Sequence, residues 1–233
     1  MLICNLRWMA RLHGRLSYDA LLCYPTDVSP PQIRGVRDDA LKVFRDVRDL
    51  PYKGASNSGW PRGPNIAWQA AARHMAKGQD AWLWLEADAI PVKPDWLAQL
   101  DIAYERCGKD FMGPIVSGMG HCNGVAIYPH NAATRCPKAM TATRHAWDYV
   151  MRDEMIRDCH DAGDLIFHFW GLVNDRPHPP TANPPHFASL ADVDRWLPKS
   201  AVLVHRVKDG SLIKQLDARL HPRRKLAAGP PVA

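Results

Sequence analysis

The sequence predicts an α/β fold: an α/β/α sandwich with helices on both faces of a mostly parallel central sheet. Three observations predict it. Short apolar runs alternate along the chain with segments of helical periodicity, the pattern of β–α units. The hydrophobic share of 46% and charged share of 23% over 233 residues are those of a globular chain, which excludes a disordered or fibrous one. No apolar run of about 18 residues occurs, which excludes a membrane-spanning helix.

The elements follow in order. Residues 5–13 carry apolar side chains at helical spacing, and Gly14 ends them. Asp19 to Tyr24 is a short apolar run closed by Pro25, a buried strand. Residues 28–35 read as proline-rich loop, and Val36 to Leu50 as an amphipathic helix with Val36, Ala40, Val43, Phe44 and Val47 on one face. A stretch of Gly, Ser, Asn and Pro from Tyr52 leads to Pro64, a first-turn proline for a helix over Asn65 to Ala76. Ala81 to Leu85 is a second buried strand that runs into Glu86-Ala87-Asp88. Pro94 opens a helix through Tyr104; Phe111–Val116 and Val125–Tyr128 are strands; residues 146–160 are helical. Pro177 to Pro185 is loop, and Ala201 to Val204 is a last strand before Arg206 to Leu216. Residues 1–220 read as one domain and 221–233 as a disordered basic and proline-bearing tail. Neither a Walker loop nor a GxGxxG fingerprint is present.

The formal charge of +6 favours an anionic partner: nucleotide phosphates, nucleic acid or an acidic surface. The run Arg219, His221, Arg223, Arg224 and Lys225 reads as a solubilising tail ahead of a nucleic-acid arm. The six cysteines have no CxxC spacing, and Arg7, Arg11 and Arg15 interrupt any secretory core. The expectation is a cytoplasmic protein without a disulfide framework or zinc knuckle.

The most informative segment is Trp82-Leu83-Trp84-Leu85-Glu86-Ala87-Asp88-Ala89-Ile90-Pro91. Open parallel sheets bind ligands beyond the carboxyl ends of their strands. Two carboxylates one residue apart stand at such an end, on one side of an extended chain. Their hard oxygens suit Mn²⁺ or Mg²⁺. The alternative is a pair of ordinary surface acids in a turn.

The segment Leu85 to Pro91, with Trp96-Leu97 downstream, resembles the DxD region of GT-A glycosyltransferases. The resemblance implies a GT-A-like sandwich, a nucleotide-sugar donor and a divalent cation bridging its diphosphate. It assigns Asp88 as metal ligand and Glu86 as its donor-facing partner, with Glu standing where the family has a first Asp. Many members bring a C-terminal histidine onto the same metal, and His205, directly after an apolar strand, fits that place. Lys208 would then neutralise the diphosphate, with the Asp209-Gly210 turn exposing backbone N–H groups. The run from His205 through Lys208-Asp209-Gly210-Ser211 is also similar to bacteriophage-encoded members that modify hydroxymethylpyrimidine DNA.

The remaining site parts are assigned by the same resemblance. Tyr24, at the end of the first core strand, would wall the nucleotide base. Asn65, at a helix start, would meet phosphate or sugar hydroxyls, unless it only starts the helix. Trp60 and Trp68 read as either site or core. Asn123-Gly124 would face the sugar or form a plain hairpin turn. An inverting transfer needs a carboxylate base: Asp148, between Trp147 and Tyr149, is the first choice and Asp164 the second. A retaining outcome stays equally open.

The expected activity is transfer of a sugar, from a UDP-sugar first among donors, to an acceptor hydroxyl. Hydroxymethylpyrimidine in duplex DNA is one acceptor; a saccharide or protein is another. A non-catalytic nucleic-acid-binding domain and a metal-dependent nuclease are the readings of other classes.

Overall fold

A computed structural model describes residues 1–116, 120–169 and 186–221. The elements are α1 (Leu2–His13), β1 (Asp19–Pro25), α2 (Pro30–Ala40), β2 (Asp46–Tyr52), α3 (Arg62–Met75), β3 (Trp82–Leu83), β4 (Ile90–Pro91) and α4 (Trp96–Cys107). They continue with β5 (Phe111–Gly113), β6 (Ile115–Val116), β7 (His121–Cys122), β8 (Ile127–Tyr128), α5 (Ala132–Arg135), α6 (Trp147–Val150) and α7 (Arg152–Met155). The last are β9 (Cys159–Asp161), β10 (Ile166–His168), α8 (Leu190–Trp196), β11 (Leu203–His205) and α9 (Ser211–Leu220).

The class is mixed α/β, but the mostly parallel central sheet is replaced by small mixed sheets. Strands β1 and β2 form a parallel pair; β10, β11 and β4 form a second sheet; β3, β8, β5 and β9 form a third; β6 and β7 form an antiparallel pair. Pairing is parallel for β1/β2, β10/β11 and β5/β9, and antiparallel for β4/β11, β3/β8, β5/β8 and β6/β7. Most of these strands have two or three residues. The Pro and Gly that punctuate the apolar runs cut each ladder short, since proline lacks a donor and glycine weakens a strand interior.

Two local expectations are corrected. Residues 36–50 are not one helix: α2 begins at Pro30 inside the expected loop, and Asp46–Tyr52 is a strand. Ser29 and Gln32 form a capping box with proline in the first turn, a start signal within the Pro-rich stretch. Residues 146–160 are likewise broken into α6, α7, a 3₁₀ turn and β9. The expected loop 177–185 and the tail beyond residue 221 lie outside the described residues.

Helix α1 positions the acidic segment. Asn5, Leu6, Trp8, Met9 and Leu12 are its buried face, and Gly14, at φ 75°, ends it. Asn5 Nδ2 donates to the Ala89 carbonyl at 2.5 Å, and Trp8 Nε1 donates to the Pro91 carbonyl at 2.7 Å. One helix face therefore anchors the chain on the C-terminal side of Asp88. A separate aromatic core holds the other acidic segments. Trp68 packs against Trp82, Tyr128 and Trp147 with ring centroids 6.0, 5.6 and 6.0 Å away, and Trp84 meets Trp147 edge-on at 5.9 Å. Trp84 is two residues from Glu86, and Trp147 adjoins Asp148. Trp68 is thus core, whereas Trp60 is 77% exposed.

Candidate functional site

Backbone register builds the site. Strand β4 pairs antiparallel with β11 through Ile90–Val204, so the chain just before Ile90 runs beside the chain just after Val204. That brings Asp88 to His205. On the other side of β11, His168 of β10 pairs directly with His205. Glu86 and Asp88 lie in a tight turn, closed by Ala89 N–H donating to the Glu86 carbonyl, and not on an extended strand. Arg206, at φ 77°, holds an unfavourable left-handed conformation immediately after His205, the kind of local strain that clusters at functional sites.

His205 Nε2 stands 3.2 Å from Glu86 Oε2 and 3.3 Å from Asp88 Oδ1. One ligand atom from each of the three residues lies within 4.8 Å of the others. The three side chains form a group that could hold one metal ion, and a mixed imidazole–carboxylate set suits Mn²⁺. Lys208 Nζ is 3.7 Å from Asp88 Oδ2, at the rim. Burial would lower the His205 pKa, but hydrogen bonds to Asp88 and Glu86 overcome it and raise it to about 9. Burial in turn opposes ionisation of Asp88, yet the His205 hydrogen bond and charge leave its pKa lowered. A proton stands where the cation would.

Asp148 is brought next to this cluster. It is in the first turn of α6, and Tyr149 N–H donates to its Oδ1 at 2.9 Å. Burial, reinforced by the charge of Glu86, raises its pKa to about 6 against the N–H groups of Tyr149 and Gly124. His121 Nε2 is 3.8 Å from its Oδ2. Gly124 joins the two acids: a Cβ there would lie 2.7 Å from Trp147 Cζ2 and 3.4 Å from Glu86 Oε1. Asp164 is exposed in the turn ahead of β10, at the end of that strand opposite His168. It is not brought to the cluster.

The other expected residues have varied positions. Asn65 is buried; its amide donates to the Ala142 and His145 carbonyls and its Oδ1 accepts from Trp147 N–H. These bonds hold the entry to α6. Asn123 is also buried, its Oδ1 accepting from Val125 N–H at 3.1 Å and lying 3.1 Å from His205 Nδ1. Asp209 starts α9 by accepting from Ser211 N–H and Oγ. Tyr24 is half-buried at the end of β1, two residues before Thr26. Thr26, Lys53, Asn57, Ser58, Arg62 and Ile66 line an open cleft of about 720 Å³ at the ends of β1 and β2 and the start of α3. Among the described residues no ion pair involves Lys53 or Arg62, so the cleft presents two cations. Among the residues near the cluster and the cleft, His168, Lys53 and Arg62 escape the sequence argument. His168 carries a usable signal, a histidine set inside the apolar run Leu165-Ile166-Phe167-His168-Phe169-Trp170.

No family model, curated protein or solved structure matches the chain. A functional reading therefore rests on the sequence and the site geometry. No helix among the described residues is long and apolar enough to cross a membrane.

Proposed function

We propose that the chain is a metal-dependent glycosyltransferase that takes a nucleotide-sugar donor, a UDP-sugar first among those to test. The observation that carries the reading is the convergence of Glu86, Asp88 and His205 on one cation-sized space, flanked by Lys208 and Asp148. Mn²⁺ or Mg²⁺, held by these three side chains, would supply charge to stabilise a departing diphosphate. Lys208 supports the same charge from the rim. The cationic cleft at the ends of β1 and β2, with Tyr24 close by, suits the nucleotide.

In the inverting form of the reaction, Asp148 takes the proton of an acceptor hydroxyl as its oxygen bonds to the anomeric carbon. The bond from that carbon to the phosphate oxygen breaks, and its electron pair leaves with the diphosphate. A carboxylate whose pKa is about 6 is ionised at neutral pH yet basic enough to accept that proton. The proposed acceptor is hydroxymethylpyrimidine in DNA, a reading supported by the charge of +6 and by the bacteriophage-like run from His205 to Ser211. A duplex base would have to be flipped out to reach Asp148. A saccharide or protein acceptor is the rival within the class.

The test is nucleotide release from UDP- and GDP-sugars with Mn²⁺, with and without hydroxymethylated DNA. Release that depends on both metal and DNA supports the full reading. Release that ignores DNA moves the acceptor to a saccharide or protein. No release, together with no rise in melting temperature from UDP plus Mn²⁺, overturns the transferase reading in favour of a binding domain.

A further inference from the structure

Behind the three ligating side chains is a buried polar contact that none of the transfer steps uses. His205 Nδ1 lies 2.9 Å from His168 Nδ1 and 3.1 Å from Asn123 Oδ1. Asn123 can be oriented without ambiguity, because the backbone N–H of Val125 donates to the same oxygen at 3.1 Å. An atom that receives a backbone N–H is the carbonyl oxygen and never the amide nitrogen. Facing that oxygen, His205 Nδ1 must carry a proton. His168 Nδ1, on the neighbouring strand, then receives the same proton in a shared hydrogen bond and must present a lone pair.

We infer that Asn123 and His168 are positioning residues that hold neutral His205 in its Nδ1–H tautomer, so that the Nε2 lone pair faces the cation space between Glu86 and Asp88. The inference rests on the metal reading above and deepens it. A histidine has one lone pair when neutral, and a metal ligand is useful only if that pair faces the metal. Without the acceptors the proton is free to sit on Nε2, where the two carboxylates attract it and where it blocks the cation. Register fixes one acceptor, since His168 pairs with His205 across β10/β11, and Asn123, directly after β7, is held by its N–H donating to the Pro114 carbonyl at 2.9 Å.

Mn²⁺ titration of the full chain, followed by electron paramagnetic resonance, tests the inference apart from the transferase activity. Asn123→Leu and His168→Phe each remove one acceptor and should weaken Mn²⁺ binding by about ten- to a hundredfold. Asn123→Asp keeps an oxygen opposite Nδ1 and should bind close to wild type. Nitrogen NMR of the metal-free wild type, at a pH where the spectrum shows His205 neutral, should show the proton on Nδ1, a measurement that needs no variant to fold. Wild-type protein that binds no Mn²⁺ overturns the metal reading and the cation role inferred from it. Wild-type binding with both Leu and Phe variants unchanged, or a neutral His205 protonated at Nε2, overturns the positioning role alone.

Discussion

His205 Nε2 stands 3.3 Å from Asp88 Oδ1, and the two residues meet only because β4 runs antiparallel to β11. Strand pairing of Ile90 with Val204 brings the residues just outside the ladder together. A slip of one residue would turn the His205 side chain to the other face of the sheet. The cluster is therefore specified by backbone register and by the grip of Asn5 and Trp8 on the chain after Asp88.

Asp88→Ala should abolish both metal binding and transfer. A ligand that binds only the folded state at a hundred times its Kd stabilises by about 2.7 kcal/mol. Wild-type protein should accordingly melt higher with saturating Mn²⁺, and Asp88→Ala should show no shift. Nucleotide release by this variant in EDTA at the wild-type rate would remove the cation from the mechanism.

Stability of the metal-free protein should fall as pH rises from about 6.5 to 9. The His205 pKa is 6.5 when unperturbed and about 9 in the fold, where burial is outweighed by hydrogen bonds to Asp88 and Glu86. The fold thus holds this proton more tightly than the unfolded chain. Its stabilisation is complete below pH 6.5 and gone above 9, about 3 kcal/mol at most. Urea denaturation in EDTA across that window measures the slope, which His205→Gln should flatten. Mn²⁺ must displace the same proton, so its affinity should rise with pH over the same range.

The members of this cluster are legible where a local pattern marks them. Two acids after an apolar run and a histidine after another single out Glu86, Asp88 and His205, which the fold brings together, and aromatic neighbours single out Asp148. Strand partners were not legible, because nothing local shows that β4 will turn antiparallel beside β11. The same limit hid β2: Val36 to Val47 has helical spacing, but Val47 is buried by pairing with Ala20 of β1. The sequence reads Asn65 and Asn123 as residues that would meet the donor. Only the fold reveals that each also contacts a neighbour, Trp147 in one case and His205 in the other.

Gly124→Ala should damage both acids at once. The added Cβ would come within 2.7 Å of Trp147 Cζ2, and Trp147 is fixed by stacking on Trp68 and by the edge contact with Trp84. Overpacking of this kind costs about 1–3 kcal/mol. Because Trp147 adjoins Asp148 and the new methyl also approaches Glu86, the loss of transfer should exceed what the fall in melting temperature explains. Wild-type activity in a folded Gly124→Ala protein would show that Asp148 and Glu86 are not held together through this residue.

Asp148→Asn should separate catalysis from stability. Burial is the main reason the Asp148 pKa rises from 3.8 to about 6, and the charge of Glu86 adds to it. A base works only when ionised, so kcat/KM should fall as pH drops through about 6, and the variant should lose activity by about 10²-fold or more. Mn²⁺ binding should persist, since Asp148 is not among the three clustered ligands. Stability should move the other way. A carboxyl whose pKa is higher in the fold than in the unfolded chain opposes folding once both states are ionised, by up to about 3 kcal/mol above pH 6. Asparagine removes that charge, so at pH 7.5 the variant should resist urea better than wild type while transferring sugar at least about 10²-fold more slowly. A variant that is less stable and still active would make Asp148 a structural acid, and the proton acceptor would have to be sought elsewhere in the site.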